Sequence, residues 1–367
     1  MIIIAGDFTP LGGMDRANHA LASFLARQHA HVTLVTHRAW PDIAALTRVV
    51  EVHRPFGSQT LGAPLLARAG EREARRAAAG TRVIANGANT DTGDIVWVHY
   101  LHAAYQPLPT GNWMRRQRVV RANAWYLARE RSALPKARIV ICNSRKTAQD
   151  VQRAYNLPVD RIRVVYYGSD PATFSAVTTE QRALARRALG WDSRPVALFV
   201  GALGDNRKGF DRLFEAWRML SSDERWDVAL AVAGSGAELG WRARATREGI
   251  RNIRFLGFRT DMAQVMAASD VLVHPARYEA YGLGVHEAIC RGLPAIVAKD
   301  AGVAELYPQD LRELLIDDVE SADEIAARLK HWRESAEEWP WRVASFGSRL
   351  RARTWDAMAA ELVERVA

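Results

Sequence analysis

The chain has 367 residues, 49% hydrophobic and 25% charged, the ordinary composition of a soluble globular protein and enough for two domains. Charged or polar residues interrupt every apolar run well before about 18 residues, so no transmembrane span is expected. A formal net charge of +9 favours an anionic partner, whether nucleotide, nucleic acid or membrane surface, and the two cysteines, Cys142 and Cys290, suit a reducing compartment and offer no metal cluster.

The start, Met1-Ile2-Ile3-Ile4-Ala5-Gly6, is too short for a signal peptide and reads as a first buried strand. Short apolar runs then alternate with helical patterns, the signature of parallel sheets covered on both faces. Strands are expected at Ile2–Ala5, His31–Thr36, Arg48–His53, Arg82–Ala85, Asp94–His99, Arg138–Asn143 and Arg161–Tyr166. Helical patterns lie between them, notably Asp15–Arg27, Trp113–Leu134 and Lys146–Tyr155. The pattern restarts at Arg194, with strands at Pro195–Gly201, Asp227–Ala233, Ile253–Leu256, Asp270–His274 and Pro294–Ala298. These elements predict an α/β protein with a first Rossmann-like domain over residues 1–170, a polar linker over 171–193 and a second Rossmann-like domain over 194–340. Within the linker, Thr179–Leu189 has the pattern of a short helix. A last helical pattern, Trp341–Val366 within residues 341–367, has no strand to follow. Two such doubly wound domains facing a cleft would bind ligands in the loops after their strands.

The motifs lie in such loops. Glu279-Ala280-Tyr281-Gly282-Leu283-Gly284-Val285-His286-Glu287 follows a predicted strand and opens a helix. Glycines let the backbone approach a ligand, and a helix N-terminus offers free amides to an anion. A diphosphate would sit on the amides around Gly282 and Leu283, with Glu287 accepting from ribose hydroxyls and Glu279 from sugar hydroxyls. The plainer alternative is a capped helix with solvated glutamates. Gly201-Ala202-Leu203-Gly204-Asp205-Asn206-Arg207-Lys208-Gly209-Phe210 follows the first strand of the second domain. Arg207 and Lys208 arrive at a helix start, where cations oppose the helix dipole. An anionic ligand explains them, because charge-assisted hydrogen bonds to phosphate contribute on the order of 1.5–3 kcal/mol each. A solvated pair is the alternative.

In the first domain, Thr9-Pro10-Leu11-Gly12-Gly13-Met14-Asp15 follows the first strand. It lacks the G-x-G-x-x-G dinucleotide fingerprint, which disfavours an oxidoreductase. Trp97-Val98-His99-Tyr100-Leu101-His102 ends another strand. His99 or His102 would face a reacting hydroxyl, since histidine titrates near neutral pH.

Taken together, these motifs resemble glycosyltransferase family 4, whose fold is GT-B, across nearly the whole chain. The most specific part is the E-x7-E pair Glu279 and Glu287, continuing into Ala288-Ile289-Cys290-Arg291-Gly292-Leu293-Pro294. Ile141-Cys142-Asn143-Ser144, Tyr167-Gly168-Ser169-Asp170, Val232-Ala233-Gly234-Ser235-Gly236 and Phe255-Leu256-Gly257 also stand in family positions. The resemblance implies a retaining transfer from a UDP- or GDP-linked sugar to a sugar or lipid-linked acceptor, with no required metal and no cofactor beyond the donor. It makes the first domain the acceptor side and the second the donor side, and brings the last helix back onto the first domain. By similarity, Lys208 holds the donor diphosphate and Gly12 and Gly13 line the cleft; in a retaining transfer whose leaving phosphate takes the acceptor proton, His99 would be an acceptor-side assistant. Two positions depart from the pattern. Ala202 stands where many members carry arginine, so that either Arg207 takes over the charge or phosphate binding rests on Lys208 and the helix amides alone, and Gly284 stands where proline is common.

The expected setting is cytoplasmic, peripheral on the inner membrane face, in cell-envelope polysaccharide, lipopolysaccharide or glycolipid assembly. Arg68, Arg72, Arg75 and Arg76 share one helical face, and Trp113–Arg138 holds eight basic residues and one acid, so an anionic membrane surface is a candidate partner. No nucleic-acid module is recognisable. A sugar-nucleotide epimerase of the same architecture and a non-catalytic sugar-nucleotide-binding protein are the alternatives; release of nucleotide without an acceptor product, or binding without turnover, would distinguish them.

Overall fold

Runs such as Ile139–Cys142 and Ala229–Ala233 have no polar alternation, so they are stable only with cover on both faces. A computed structural model describes residues 1–28, 30–92, 94–108 and 112–366. The chain divides into two compact units, Met1–Gly168 with Arg353–Ala367, and Ser169–Ala352.

The first unit carries β1 (Ile2–Ile4), β2 (Thr33–Thr36), β3 (Arg48–Glu51), β4 (Val83–Asn86), β5 (Ile95–Val98), β6 (Ile139–Cys142) and β7 (Ile162–Val164). They form one sheet in the order β3-β2-β1-β4-β5-β6-β7, every pair parallel. The second unit carries β8 (Val196–Val200), β9 (Ala229–Ala233), β10 (Ile253–Gly257), β11 (Val271–His274), β12 (Ala295–Ala298) and β13 (Leu315–Ile316). Its order, β10-β9-β8-β11-β12-β13, is again all parallel. Both sheets reverse direction of growth at their first strand, the doubly wound pattern whose ligand crevice lies outside the carboxyl ends there. The second core is mainly aliphatic and includes large aromatic side chains, among them Phe199, Phe210, Phe214, Trp217 and Trp332. Each contributes roughly 1.5–3 kcal/mol by leaving water.

The expected strands form within one or two residues of their predicted ends. Two-residue strands were not foreseen: β13, and a separate pairing of Asp7–Phe8 with Arg38–Ala39. They are too short to show a period.

Residues 171–193, read from sequence as a linker, are packed into the second unit. Phe174 is buried in its core, and the Thr179–Ala188 helix is closed by a Thr178–Gln181 capping box. Arg182 and Arg186 of that helix turn inward onto Asp270 and the carbonyls of Ser269 and Ala268. The last helical pattern is also broken. Ala344–Ala352 packs in the second unit against the Leu283–Cys290 helix, where Gly347 approaches the Ile289 carbonyl. Thr354 caps a new helix, Trp355–Val366, by accepting from Ala357 N at 3.1 Å. This helix packs on Gly13–Arg27 in the first unit. Gly168 lies so close to the Thr354 backbone that a Cβ there would collide with it, which accounts for the glycine after Tyr167.

Candidate functional site

The second unit builds its site from two loops after β8 and β11. The turn after β8 is folded by its own backbone and by Asp205, whose side chain accepts from Arg207 N at 2.9 Å. Gly209 closes the turn at φ 72°, with a Cβ position that would fall on the Pro275 carbonyl oxygen. Only glycine fits there, and the close approach places this turn against the β11 loop. Gly201 leaves space for the Lys208 stem, whose Cγ is 3.1 Å from where a Cβ would stand. Lys208 Nζ thereby reaches Glu279 Oε2 at 2.5 Å.

Glu279 receives two further partners. His274, the last residue of β11, places Nε2 at 3.0 Å, and Arg207 Nη1 lies at 4.0 Å. Burial alone would raise the Glu279 carboxyl, but Lys208, His274 and Arg207 overcome it and hold it far below the usual carboxylate range. Burial pushes His274 down despite the pull of Glu279, so a neutral ring donates from Nε2 to an ionised carboxylate. Arg207 is steered by Asp205 Oδ2 at 3.1 Å and the Tyr278 carbonyl at 3.2 Å. A second cation therefore stands beside Lys208, while Ala202 is exposed.

Glu279 leads into the helix Leu283–Cys290 through Gly282, at φ 102°. The connecting backbone is held from the far side: Gly302 N donates to Glu279 O at 3.1 Å and Val303 N to Tyr281 O at 2.6 Å. Intrahelical bonds begin at Val285, so the N–H groups of Leu283 and Gly284 belong to the open first turn. Glu287 lies one turn further on and is 7% exposed. The expected placement of the two glutamates, one in the loop and one inside the helix, is what the backbone adopts. Among the described residues, no group of three or more His, Cys, Asp or Glu is placed to hold a metal ion.

In the first unit, Gly12 takes φ 79° as the N-cap of Gly13–Arg27, and Asp15 stands in that helix's first turn. Burial, then the neighbouring Asp7, raises the Asp15 carboxyl to about 6 against the opposing Arg38 and Arg54. His99 follows β5 and is buried beside Trp97. Its Nδ1 meets the Tyr167 hydroxyl, which also accepts from Asn143 Nδ2 at 3.3 Å. The other ring nitrogen, Nε2, is buried and has no partner among the described residues. Burial pushes the His99 pKa down to about 3, so it does not titrate near neutrality as expected; it is a neutral ring. His102 is engaged elsewhere. Its Nδ1 and its backbone N both lie 2.7 Å from Glu130 Oε1, and its ring stacks on Tyr126. Tyr155 and Ala103 N complete the Glu130 carboxylate at 2.8 and 3.1 Å. This is a structural anchor for the turn His102–Ala104.

The chain matches two family models, "Glycosyltransferase Family 4" over residues 11–173 and "Glycosyl transferases group 1" over residues 194–334. It belongs to glycosyltransferase family 4. Family relatives include the lipopolysaccharide glucosyltransferase WaaG of Escherichia coli, 32% identical over 43% of this chain and 43% of its own length. O-antigen chain mannosyltransferase B of Escherichia coli is 27% identical over 57% of this chain and 54% of its own. A D-inositol 3-phosphate glycosyltransferase of Corynebacterium urealyticum is 30% identical over 64% and 58%. The matches thus span about half the length of these curated relatives. Among solved structures, WaaG superposes with a TM-score of 0.77 at 19% identity over 100% of this chain and 99% of that one. Anabaena Alr3699/HepE in complex with UDP and glucose gives 0.68 at 20% identity, over 99% and 98%. Both identify the GT-B fold.

In this family-4 chain the structure pairs Lys208 with Glu279, sets Arg207 4.0 Å from the same carboxylate, and places Gly282 and Leu283 at the start of the adjoining helix with Glu287 one turn into it. Gly12, Gly13, His99 and His102 belong to the first unit. Two residues beside these loops went unremarked in the sequence, His274 at Glu279 and Arg277, whose guanidinium pairs with Asp211 and Glu320. His274 was read only as a strand end, although a histidine closing an apolar strand at a carboxyl edge is the available signal. Arg277 gave none, because its partners come from distant segments.

Proposed function

We propose that this chain transfers a sugar, with retention of configuration, from a nucleoside-diphosphate sugar to a hydroxyl acceptor in envelope polysaccharide, lipopolysaccharide or glycolipid assembly. The observation that carries this reading is the ionised Glu279, neutralised by Lys208 and flanked by Arg207 at the open start of a glycine-led helix. A carboxylate, two cations and free amides on one crevice edge suit a sugar attached to a pyrophosphate. In this scheme Lys208, Arg207 and the amides of Leu283 and Gly284 take the diphosphate. Glu287 holds the ribose and Glu279 the sugar hydroxyls.

Breaking the sugar–phosphate bond leaves negative charge on the departing diphosphate. Lys208 and Arg207 are already in place to stabilise it, without reorganisation at the moment of reaction. The acceptor oxygen forms its bond on the same face and its proton passes to the leaving phosphate oxygen. The neutral His99 is an assistant on the acceptor side, and Glu279 orients rather than attacks. The donor is UDP- or GDP-linked; relatives bear the names glucosyltransferase and mannosyltransferase, and a like-folded protein was solved with UDP-glucose.

We further propose that an anionic membrane surface supports the acceptor side. No helix among the described residues is long and apolar enough to cross a membrane. The helix Trp113–Ala133 instead exposes Trp113 and Met114 beside Arg115, Arg116, Arg118 and Arg121. That pairing of bulky apolar groups with cations suits a headgroup interface.

The test is release of nucleoside diphosphate from a panel of UDP- and GDP-sugars, with an acceptor product. Lys208→Ala is expected to lower kcat/KM about 10- to 100-fold, the loss of one charge-assisted phosphate contact, and to lower melting as well, because Glu279 loses its principal partner, while the chain still folds. An unaltered rate removes Lys208 from the mechanism; nucleotide release with no acceptor product favours an epimerase or hydrolase.

A further inference from the structure

Arg277 sits on the loop between β11 and Glu279, and its guanidinium uses all five of its N–H donors. Nε donates to Glu320 Oε1, and Nη2 reaches Glu320 Oε2 at 3.0 Å. Nη1 and Nη2 fork onto the two Asp211 oxygens, both at 2.7 Å. The remaining Nη1 hydrogen reaches the Asn206 carbonyl at 2.5 Å. The peptide N–H of Arg277 donates to the Arg207 carbonyl at 2.8 Å. The side chain is 11% exposed.

These partners converge on one element. Asn206 and Arg207 belong to the turn Asn206–Lys208, and Asp211 to the first turn of the helix Phe210–Leu220 that follows. Glu320 comes from the loop after β13. The turn itself is only three residues long, with two local backbone bonds, Lys208 N to Asp205 O and Gly209 N to Asn206 O. A turn with so few bonds of its own is soft unless held from outside. Arg277 holds it at two successive carbonyls, immediately ahead of Lys208.

We propose that Arg277 is a positioning residue for the donor pyrophosphate: it clamps the turn Asn206–Lys208 so that the Lys208 ammonium is presented to phosphate, with Glu320 as the outer anchor. The role rests on the donor-site reading above. Lysine is no substitute, because an ammonium offers three donors from one point and cannot span two carboxylates and a carbonyl in a plane.

The test is a double-mutant cycle on nucleotide affinity, measured calorimetrically with UDP and with GDP well below the melting temperature. Arg277→Lys is expected to weaken binding about tenfold in the native background. In a Lys208→Ala background the same substitution is expected to cost under about twofold, because there is no ammonium left to position. Glu320→Gln, at an outer and half-exposed position, is expected to weaken binding about threefold and guards against loss of fold in the first variant. A purely structural Arg277 would lower melting and leave affinity unchanged, or lower affinity equally in both backgrounds; either result overturns the proposal. A native chain that binds neither UDP nor GDP removes the donor-site reading, and this role with it.

Discussion

Glu279→Gln separates phosphate binding from sugar orientation, because it is expected to move the two in opposite directions. The Glu279 carboxylate lies 2.5 Å from the Lys208 ammonium, 3.0 Å from His274 and 4.0 Å from Arg207. An incoming pyrophosphate must share those cations with it. Glutamine keeps the size and removes the charge. A charge-assisted hydrogen bond contributes about 1.5–3 kcal/mol. Both side chains of the Lys208–Glu279 pair are partly solvated, at 18% and 14% exposure, so only part of that returns to the ligand. Retaining roughly half, about 0.7–1.5 kcal/mol, tightens UDP or GDP binding about 3- to 10-fold. Turnover goes the other way, falling about 10- to 100-fold as the sugar loses an oriented contact. Calorimetry with UDP and GDP reads the first, and release of nucleoside diphosphate from the sugar donor reads the second. Weaker nucleotide binding, or turnover equal to the native chain, refutes the assignment. The fold responds as well. The folded Glu279 carboxyl titrates below an unfolded one, so its pairing stabilises the fold above about pH 4 and is lost as pH falls further. The melting gap between native and Glu279→Gln chains should therefore close on acidification from about pH 5.

Asp15 has the opposite sign. Its folded pKa, about 6, lies above the unfolded carboxylate value, so ionisation destabilises the fold as pH rises through 6. Asp15→Asn should raise melting above neutrality and change nothing in acid; a gain of equal size at every pH contradicts this. At Gly284 a Cβ meets open space and the backbone is helical, so Gly284→Ala should stabilise by about 0.5–1 kcal/mol, read as a raised denaturation midpoint. Replacing Arg115, Arg118 and Arg121 together by glutamine should weaken sedimentation with anionic liposomes about 100-fold, at roughly 1 kcal/mol per charge, and leave neutral liposomes unbound as before. Undiminished sedimentation would take the docking surface away from Trp113–Ala133.

The strands were legible because both sheets are parallel and buried on both faces, so they appear as uninterrupted apolar runs such as Val196–Val200 and Val271–His274. The loops of the proposed donor site were legible because glycine and charge stand at fixed offsets from strand ends. Gly209 and Gly282 occupy positive φ, and Lys208 and Glu279 meet across the gap between their loops. What sequence hid was inward-facing charge. Thr179–Ala188 was read as a short helix inside a largely polar linker, yet Arg182 and Arg186 are turned onto Asp270 and tie it to the second unit. Arg277 reads as a surface residue until Asp211 and Glu320 are brought beside it from either side. His102 looked like a second acceptor histidine, and only the arrival of Glu130 from the following helix explains it. Periodicity reports which face is apolar. It carries no information on which buried charges will meet.

A crystal structure of the chain with UDP or GDP bound tests the donor site most directly. The pyrophosphate is expected on Lys208 Nζ and the N–H groups of Leu283 and Gly284, with the ribose hydroxyls on Glu287. A nucleotide bound away from the Leu283–Cys290 helix, with Glu287 untouched, would contradict the donor assignment.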